Sequence, residues 1–308
     1  MKTCPLVSVV VATYNSEKTV IQTLDSIMRQ SYSNIELIIT DDCSKDKTVS
    51  LCNEWIERSL NRFTKAVVVT SDFNTGVPSN FNRGISVSSG EWIKTIAGDD
   101  IIEDQAIEKY LDYISHNSAI KVLFARSQTF MEGSDGKKIF SEIFPHNDQL
   151  DFYNKNAEEQ SLYLIQYNNV PATTSFIKRD LLLSYPFDED YKYMEDYPYW
   201  VKITRLGYKL YFLDDIAVYY RKGAESLTSS RKRLYNTRFM ECSRLFYMKE
   251  RRELLYKVNY PLFVDRERYY YVYDFARLFL KNKNTWLNVF ILKIVKYMAK
   301  INIKNIQL

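Results

Sequence analysis

The feature that most constrains this chain is an alternation of strand and helix that begins at its first apolar run. Leu6 to Ala12 reads LVSVVVA, a continuous and largely β-branched stretch of the kind found in a strand buried on both faces. Glu17 to Arg29 follows with Val20, Leu24 and Ile27 at helical spacing. The same order recurs three times: Ile35 to Thr40 before a helix near Thr48 to Leu60, Ala66 to Thr70 before Asn80 to Val87, and Glu91 to Ala97 before Glu103 to Ile114. Parallel strands need long crossover connections, usually helical. The pattern therefore predicts an α/β fold with a Rossmann-like, mostly parallel sheet flanked by helices.

In such sheets ligands bind beyond the carboxyl ends of the strands. The loops expected there carry Thr13-Tyr14-Asn15, Asp41-Asp42 and Gly98-Asp99-Asp100. Any one of them is explicable as a solvated turn, but three on one edge predict a site. Asp99 and Asp100 are like charges crowded at the end of a buried strand. Paired carboxylates there supply the hard oxygen ligands that Mg²⁺ or Mn²⁺ takes, and an oxygen-only set does not favour zinc.

Composition narrows the functional classes. A chain of 308 residues that is 46% apolar can bury a sizeable core, and its eight glycines argue against linkers. Four cysteines without zinc spacing, and two histidines, fit neither a structural metal module nor a disulfide scaffold. The first apolar run is too short for a membrane span and lacks a signal-peptide cleavage region, so a cytoplasmic protein is expected. A formal charge of +4 without a recognition motif argues against nucleic acid. Basic residues nevertheless gather late, at Arg221, Lys222, Arg231, Lys232 and Arg233, as an anionic partner would require.

Four stretches in order, PLVSVVVATYN, IELIITDDCSKDKT, NTGVPSNFNRGISVSSGEWIKTIAGDD and YKYMEDYPYW, resemble the landmarks of the inverting family 2 glycosyltransferases with the GT-A nucleotide-sugar-binding fold. The resemblance covers roughly residues 5 to 220. It implies that Tyr14 stacks on the nucleotide base beside the Ala12 backbone and that Asp42 accepts the base's imide hydrogen, an aromatic face and an acceptor being suited to uracil. Asp41 is as well suited to bracing its own loop. GDD resembles the family's DxD metal motif, with Asp100 the direct ligand and Asp99 on ribose or metal. The aspartate often found two residues before this pair is Ala97 here. The family's alanine-arginine-asparagine triplet reads Asn80-Phe81-Asn82, with Arg83 following. Asn82 matches, and Phe81 stands in the arginine's place, which makes Arg83 the candidate for a contact to phosphate or to an acid. In YMEDYPYW the resemblance assigns the general base to Asp196, with Glu195 orienting it or the acceptor, although acids are favoured at helix starts in any case. Tyr193, Tyr197 and Tyr199 are divided between an acceptor platform and the core, and Trp200 is assigned to the core. The segment from Tyr219 to Thr228 resembles the family's post-catalytic strand and mobile loop, where Arg221 or Lys222 would close over the diphosphate.

From about Tyr235 the chain turns helical, aromatic and basic. Trp286 to Ile301 combines Trp286, Phe290, Ile294 and Met298 with Lys293, Lys296 and Lys300, which suits an interfacial helix as well as one packed on the catalytic domain. The expected organisation is a catalytic domain over residues 1–228 and a helical C-terminal region over 229–308, with the protein cytoplasmic or peripheral at the inner face of the cytoplasmic membrane.

The expected function is a metal-dependent, inverting hexosyltransferase. It would use a nucleotide-diphosphate sugar, a UDP-sugar by preference, and a glycan or lipid-linked acceptor in bacterial surface polysaccharide assembly of the O-antigen type. A catalytically inactive scaffold of the same fold is the alternative, given Ala97 and Phe81. A sugar nucleotidyltransferase is a further one, though ATYNSEKT lacks the glycines of a phosphate loop.

Overall fold

The computed structural model describes residues 4–133, 135–222 and 233–299. Its elements follow in the order β1 (Val7–Thr13), α1 (Val20–Met28), β2 (Ile35–Asp41), α2 (Thr48–Ser59), β3 (Lys65–Thr70), α3 (Val77–Ser86), β4 (Trp92–Ala97), β5 (Ile101–Ile102) and α4 (Ala106–Ser115). Next come β6 (Val122–Glu132), β7 (Lys138–Phe144), α5 (Asp151–Asn154), α6 (Ala157–Gln166), β8 (Phe176–Lys178), α7 (Arg179–Ser184), α8 (Asp196–Arg205) and β9 (Leu210–Arg221). The helices α9 (Thr237–Phe246), α10 (Arg252–Val258), α11 (Tyr260–Leu278) and α12 (Trp286–Met298) complete the described chain.

The α/β alternation read from the sequence is present as β1–α1, β2–α2, β3–α3 and β4–α4. α1 and α4 each start three residues later than expected, and α3 starts three residues earlier, at Val77 rather than Asn80. Gly76 (φ +98°) turns the chain into it, and Pro78 is tolerated in a first helical turn because the missing N–H has no intrahelical partner there. The sheet runs β3-β2-β1-β4-β8-β6-β9-β5, with β7 on β6. Its first four strands are all parallel. Beyond them the pairing is mixed: β8 is antiparallel to both β4 and β6, whereas β6 and β9 are parallel.

β2 is buried at every position and β1 at all but Ala12, as expected of strands covered on both faces. Glu36, in the middle of β2, is tolerated because its carboxylate accepts hydrogen bonds from the Ser89 hydroxyl (2.7 Å) and the Gly90 amide (2.9 Å), and from the Ser8 hydroxyl and Ser89 amide. Further along the sheet, Phe176 of β8 is sandwiched between the rings of Trp92 and Tyr110, with centroids 5.2 and 4.9 Å away.

The chain divides into two compact units, Met1–Gln160 with Asn169–Lys222 and Ser161–Asn168 with Gly223–Leu308. The boundary at residue 228 expected from the sequence lies outside the described residues. Within the second unit, the Arg251 guanidinium donates to the carbonyls of Ile165 and Gln166 (2.8 and 3.1 Å). Val272, Ala276 and Leu292 form a small core joining α11 to α12. The turn between those helices is held by Asn282 (φ +52°), whose side-chain amide donates to the Tyr235 carbonyl and accepts from the Tyr235 amide.

α3 lies close against β1 and β2 because position 84 is glycine. A Cβ there would come within 2.6 Å of Val10 Cγ1 and 3.0 Å of Thr40 Cγ2, both branched side chains fixed on strands. Gly84→Ala is expected to destabilise the protein by about 1–3 kcal/mol through overpacking, read as a lowered urea midpoint with an unchanged slope.

Candidate active site

Parallel register brings the strand ends level. Thr13 pairs with Asp41 and Ala12 with Ala97, so the loops after β1, β2 and β4 leave from one edge, as the sequence implied. Tyr14 stands on that edge with its ring about half exposed, beside the half-buried Ala12. Asp41 is buried and braces its loop: it accepts from the Thr13 hydroxyl (2.8 Å) and from the amide and hydroxyl of Ser44 (2.8 and 2.5 Å).

Asp42 is almost fully covered. Its carboxylate accepts from the Thr75 amide (2.9 Å), the Thr75 hydroxyl (2.5 Å) and the Gly76 amide (2.8 Å), with Arg83 at 3.4 Å. The aspartate therefore ties the 74–76 turn to the end of β2, and any base-reading contact is additional to these. Arg83 serves the same cluster, donating to Asn80 Oδ1 (2.9 Å) and to the Thr75 hydroxyl (2.8 Å). Asn82 departs from the expectation. Its amide is committed to the Phe187 backbone and to Glu189, while the buried Asn80 faces the strand ends and bonds Thr40 and the Thr13 carbonyl. Residues three apart share a helix face and residues two apart do not, which is why Asn80 joins Arg83 and Asn82 does not.

Asp99 and Asp100 follow β4 but have different surroundings. Asp99 is exposed, and its carbonyl accepts from Arg221 Nε (2.7 Å). Asp100 is buried, accepting on one oxygen from the Arg221 amide (2.9 Å) and on the other from the Thr173 hydroxyl (2.8 Å). Burial first, and then the charge of Asp99, push the Asp100 carboxyl well above the usual range. Beneath them the fully buried Lys94 donates to the carbonyls of Thr95 and Thr173 (2.7 and 2.6 Å), and burial draws its ammonium down to about 7. Each Asp100 oxygen takes a single hydrogen bond and retains a lone pair. Two destabilised carboxylates with lone pairs to spare fit a hard divalent cation, whose other positions would fall to donor oxygens and water. Among the described residues no three His, Cys, Asp or Glu side chains gather into a complete protein cage.

Arg221 holds this corner together. Its guanidinium also reaches Gln22 (2.7 Å) and Glu132 (2.7 Å) and lies over the Phe130 ring, so it is braced within β9's surroundings rather than free to close over a ligand. Lys222 pairs with Glu142. The loop from Gly223 to Thr228, singled out in the sequence, lies outside the described residues.

Glu195 and Asp196 stand at the start of α8. A helix N-terminus favours carboxylates, yet crowding prevails: burial and the Asp196 charge push Glu195 up to about 8, and burial raises Asp196 against the opposing Tyr197 amide. Tyr197, Tyr199 and Trp200 are buried, Trp200 edge-on to Phe124 in the core as expected, which leaves only Tyr193 of the group half-exposed. The Tyr220 phenol is raised to about 12 by desolvation and then by the charges of Asp100, Asp99 and Asp196. Both acidic pairs thus lie within electrostatic reach of one hydroxyl.

The two halves are joined at Gly76. The Lys192 carbonyl accepts from the Val77 amide (3.0 Å) and Lys192 Nζ donates to the Asn74 carbonyl (3.0 Å), so the loop leading to Glu195 is fastened to the turn that Asp42 holds. A Cβ at Gly76 would meet Lys192 Cγ at 2.3 Å and its carbonyl oxygen at 2.6 Å. Sequence reasoning does not single out Thr75, Gly76, Thr173, Lys192 or Tyr220. The Asn-Thr-Gly turn is visible as turn chemistry, whereas a lone Thr173 or Lys192 carries no local mark.

The chain matches the family description "Glycosyl transferase family 2" over residues 8–182. It is 30% identical over 216 residues to an uncharacterized glycosyltransferase of Haemophilus influenzae, covering 67% of this chain and 62% of that one. It therefore spans about three fifths of that curated relative. To the Escherichia coli UDP-Glc:alpha-D-GlcNAc-diphosphoundecaprenol beta-1,3-glucosyltransferase WfaP it is 23% identical over 228 residues, covering 73% of this chain and 81% of the relative. The fold is similar to that of S. aureus TarS 1-349 crystallised with UDP-GlcNAc, at a TM-score of 0.57 and 17% identity over 97% of this chain and 82% of that one.

Two outcomes follow from this geometry. Gly76→Val meets both the Lys192 backbone and an unfavourable φ, so it should release the 186–195 loop, detected as faster amide exchange there while β1 and β2 stay protected. Glu195 has a folded pKa above its ordinary 4.5, so the native state binds more protons than the unfolded chain between about 4.5 and about 8, and stability falls as pH rises through that window. Glu195→Gln should remove this slope, melting progressively higher than the parent as pH increases from 5 to 9 (roughly the titration window).

Proposed function

The chain belongs to glycosyl transferase family 2, and we propose that it transfers a sugar from a nucleotide-diphosphate donor, a UDP-sugar, to a hydroxyl of a glycan or lipid-linked acceptor in cell-surface polysaccharide synthesis. The observation that carries this reading is geometric: in-register parallel pairing sends the loops bearing Tyr14, Asp42 and Asp99-Asp100 off one edge of the sheet, and Lys192, three residues before Glu195, is fastened to the turn that Asp42 holds. One acidic pair suits a cation on a diphosphate and the other suits proton removal, and direct displacement needs both at one place. The relatives support the donor and acceptor classes: WfaP is named for UDP-glucose and a diphosphoundecaprenol-linked acceptor, and TarS was crystallised in complex with UDP-GlcNAc.

In this reading Tyr14 stacks on the base, with Ala12 beneath it, while Asp42, Asn80 and Arg83 keep the surrounding turn in place. Asp100 and Asp99 would hold Mg²⁺ or Mn²⁺, which supplies charge neutralisation at the diphosphate. Asp196 accepts the proton of the acceptor hydroxyl, and its raised pKa makes it a stronger base than a solvated aspartate. The freed oxygen attacks the anomeric carbon, the bond to the nucleoside diphosphate breaks on the opposite side, and one displacement inverts the anomeric configuration. Beside it, burial and the charge of Asp196 keep the proton affinity of Glu195 high.

Calorimetric titration with UDP, GDP, dTDP and CDP, with Mn²⁺ and with chelator, tests the donor class. UDP binding that depends on the cation is expected, and Asp100→Asn should lose that dependence. Asp196→Asn should keep donor binding and lose about a hundred- to ten-thousand-fold in transfer rate. Unchanged cation-dependent binding in the first variant would remove Asp100 as ligand. Full transfer in the second would falsify the base assignment.

A further inference from the structure

α12 packs on α11 through Leu292, with Val295 and Ala299 beside it, and presents a second apolar face that is exposed among the described residues. Trp286, Phe290, Ile294 and Tyr297 recur at intervals of four, four and three, which places them within about 80° of one another around the helix. Trp286 is 81% exposed, Phe290 57% and Tyr297 85%, and Met298 extends the face at 74%. Large apolar side chains exposed in a row are not what a helix serving only to close a core would carry.

The charge around this face has one sign. After Asp274 the sequence contains no Asp or Glu, but it contains Arg277, Lys281, Lys283, Lys293, Lys296, Lys300 and Lys304. Lys293 flanks the aromatic stripe and is exposed, as are Lys281 and Lys283 in the turn before Trp286. Lys296 differs: its Nζ lies 5.5 Å over the Tyr235 ring, inside the unit. Aromatic side chains with polar edges, aliphatic neighbours and a rim of lysines match the chemistry of a lipid headgroup boundary.

We propose that this face of α12 docks on the surface of an anionic lipid bilayer. The apolar stripe would enter the headgroup boundary, and Lys281, Lys283 and Lys293 would lie against lipid phosphates. A two-fold contact with a second copy is disfavoured by the same charges, because an isologous pairing would set the lysine rim of one copy against that of the other without a single acid in the segment to neutralise it. Among the described residues no helix is long and apolar enough to cross a membrane, so the contact proposed is with the surface. The proposal rests on α12 alone and is independent of the donor and base assignments.

The test is co-sedimentation of the full chain with vesicles of phosphatidylcholine, with and without phosphatidylglycerol. Binding is expected to the anionic vesicles, to weaken as salt is raised, and to fall about tenfold or more in Trp286→Ser/Phe290→Ser. Lys281→Glu/Lys283→Glu/Lys293→Glu, which alters only exposed side chains, should abolish the preference for phosphatidylglycerol. If the serine variant misfolds by circular dichroism, the lysine variant decides. Failure of the parent protein to sediment with anionic vesicles, or equal binding by both variants, overturns the proposal. A parent dimer that the serine variant dissociates, without lipid binding, would assign the face to a second copy and overturn it as well.

Discussion

In-register parallel pairing of β1 with both β2 and β4 sets Thr13 level with Asp41 and Ala12 level with Ala97, and the polar loops that leave those strands share an edge as a result. Such pairing is possible only because each return to the same end of the sheet is made by a packed helix. Val9 and Leu24, buried at one point in the core, matter to the site for this reason: they hold β1 and α1 where the loop between them can present Tyr14. Gly84 has a similar effect, letting α3 approach closely enough for Arg83 and Asn80 to reach the strand ends.

The site gathers negative charge against its electrostatic cost. Burial first, and then the charge of Asp99, raises the proton affinity of Asp100, and burial and then the charge of Asp196 do the same to Glu195. Compensation differs between them. The β4 pair has donors built around it, the Thr173 hydroxyl and the Arg221 backbone, with Lys94 fixing the Thr173 carbonyl from below. The α8 pair has chiefly backbone amides and the helix terminus. The proposed roles divide along the difference in partners: ordered side-chain and backbone donors hold Asp100 in the fixed geometry a ligand needs, whereas Asp196, opposed by backbone amides, is placed to take a proton.

The turn at Asn74 to Gly76 connects the end of β2 to the loop before Glu195. Asp42 grips it from one side and Lys192 from the other, so the loop that ends at Glu195 cannot move without disturbing the cluster at the end of β2. Much of this arrangement is legible in the sequence: the strand-helix order and the edge follow from local patterns, the acidic pairs are picked out by the family resemblance, and Trp200 is placed in the core. Asn82 is misplaced as a ligand neighbour because motif alignment counts positions along the chain, while α3 assigns faces by its own rotation, which favours Asn80. Arg221 reads as a free cation after a strand. Its partners Gln22 and Glu132 stand 199 and 89 positions away, beyond anything spacing can reveal.

The sequence by itself determined the α/β class and the edge on which the polar loops meet, because β-branched runs, helical periodicity and turn chemistry act over a few residues; the roles of the two acidic pairs are what the family resemblance implies. Only the tertiary structure decided that Asp99, Asp100 and Asp196 all bear on Tyr220, that Gly76 fastens the loop at Lys192 to the turn Asp42 holds, and that Thr173 and Lys94 support Asp100. The physical reason is burial: a polar group withdrawn from water must find a partner in whatever segment the fold brings beside it, and that neighbour is chosen by packing rather than by order along the chain.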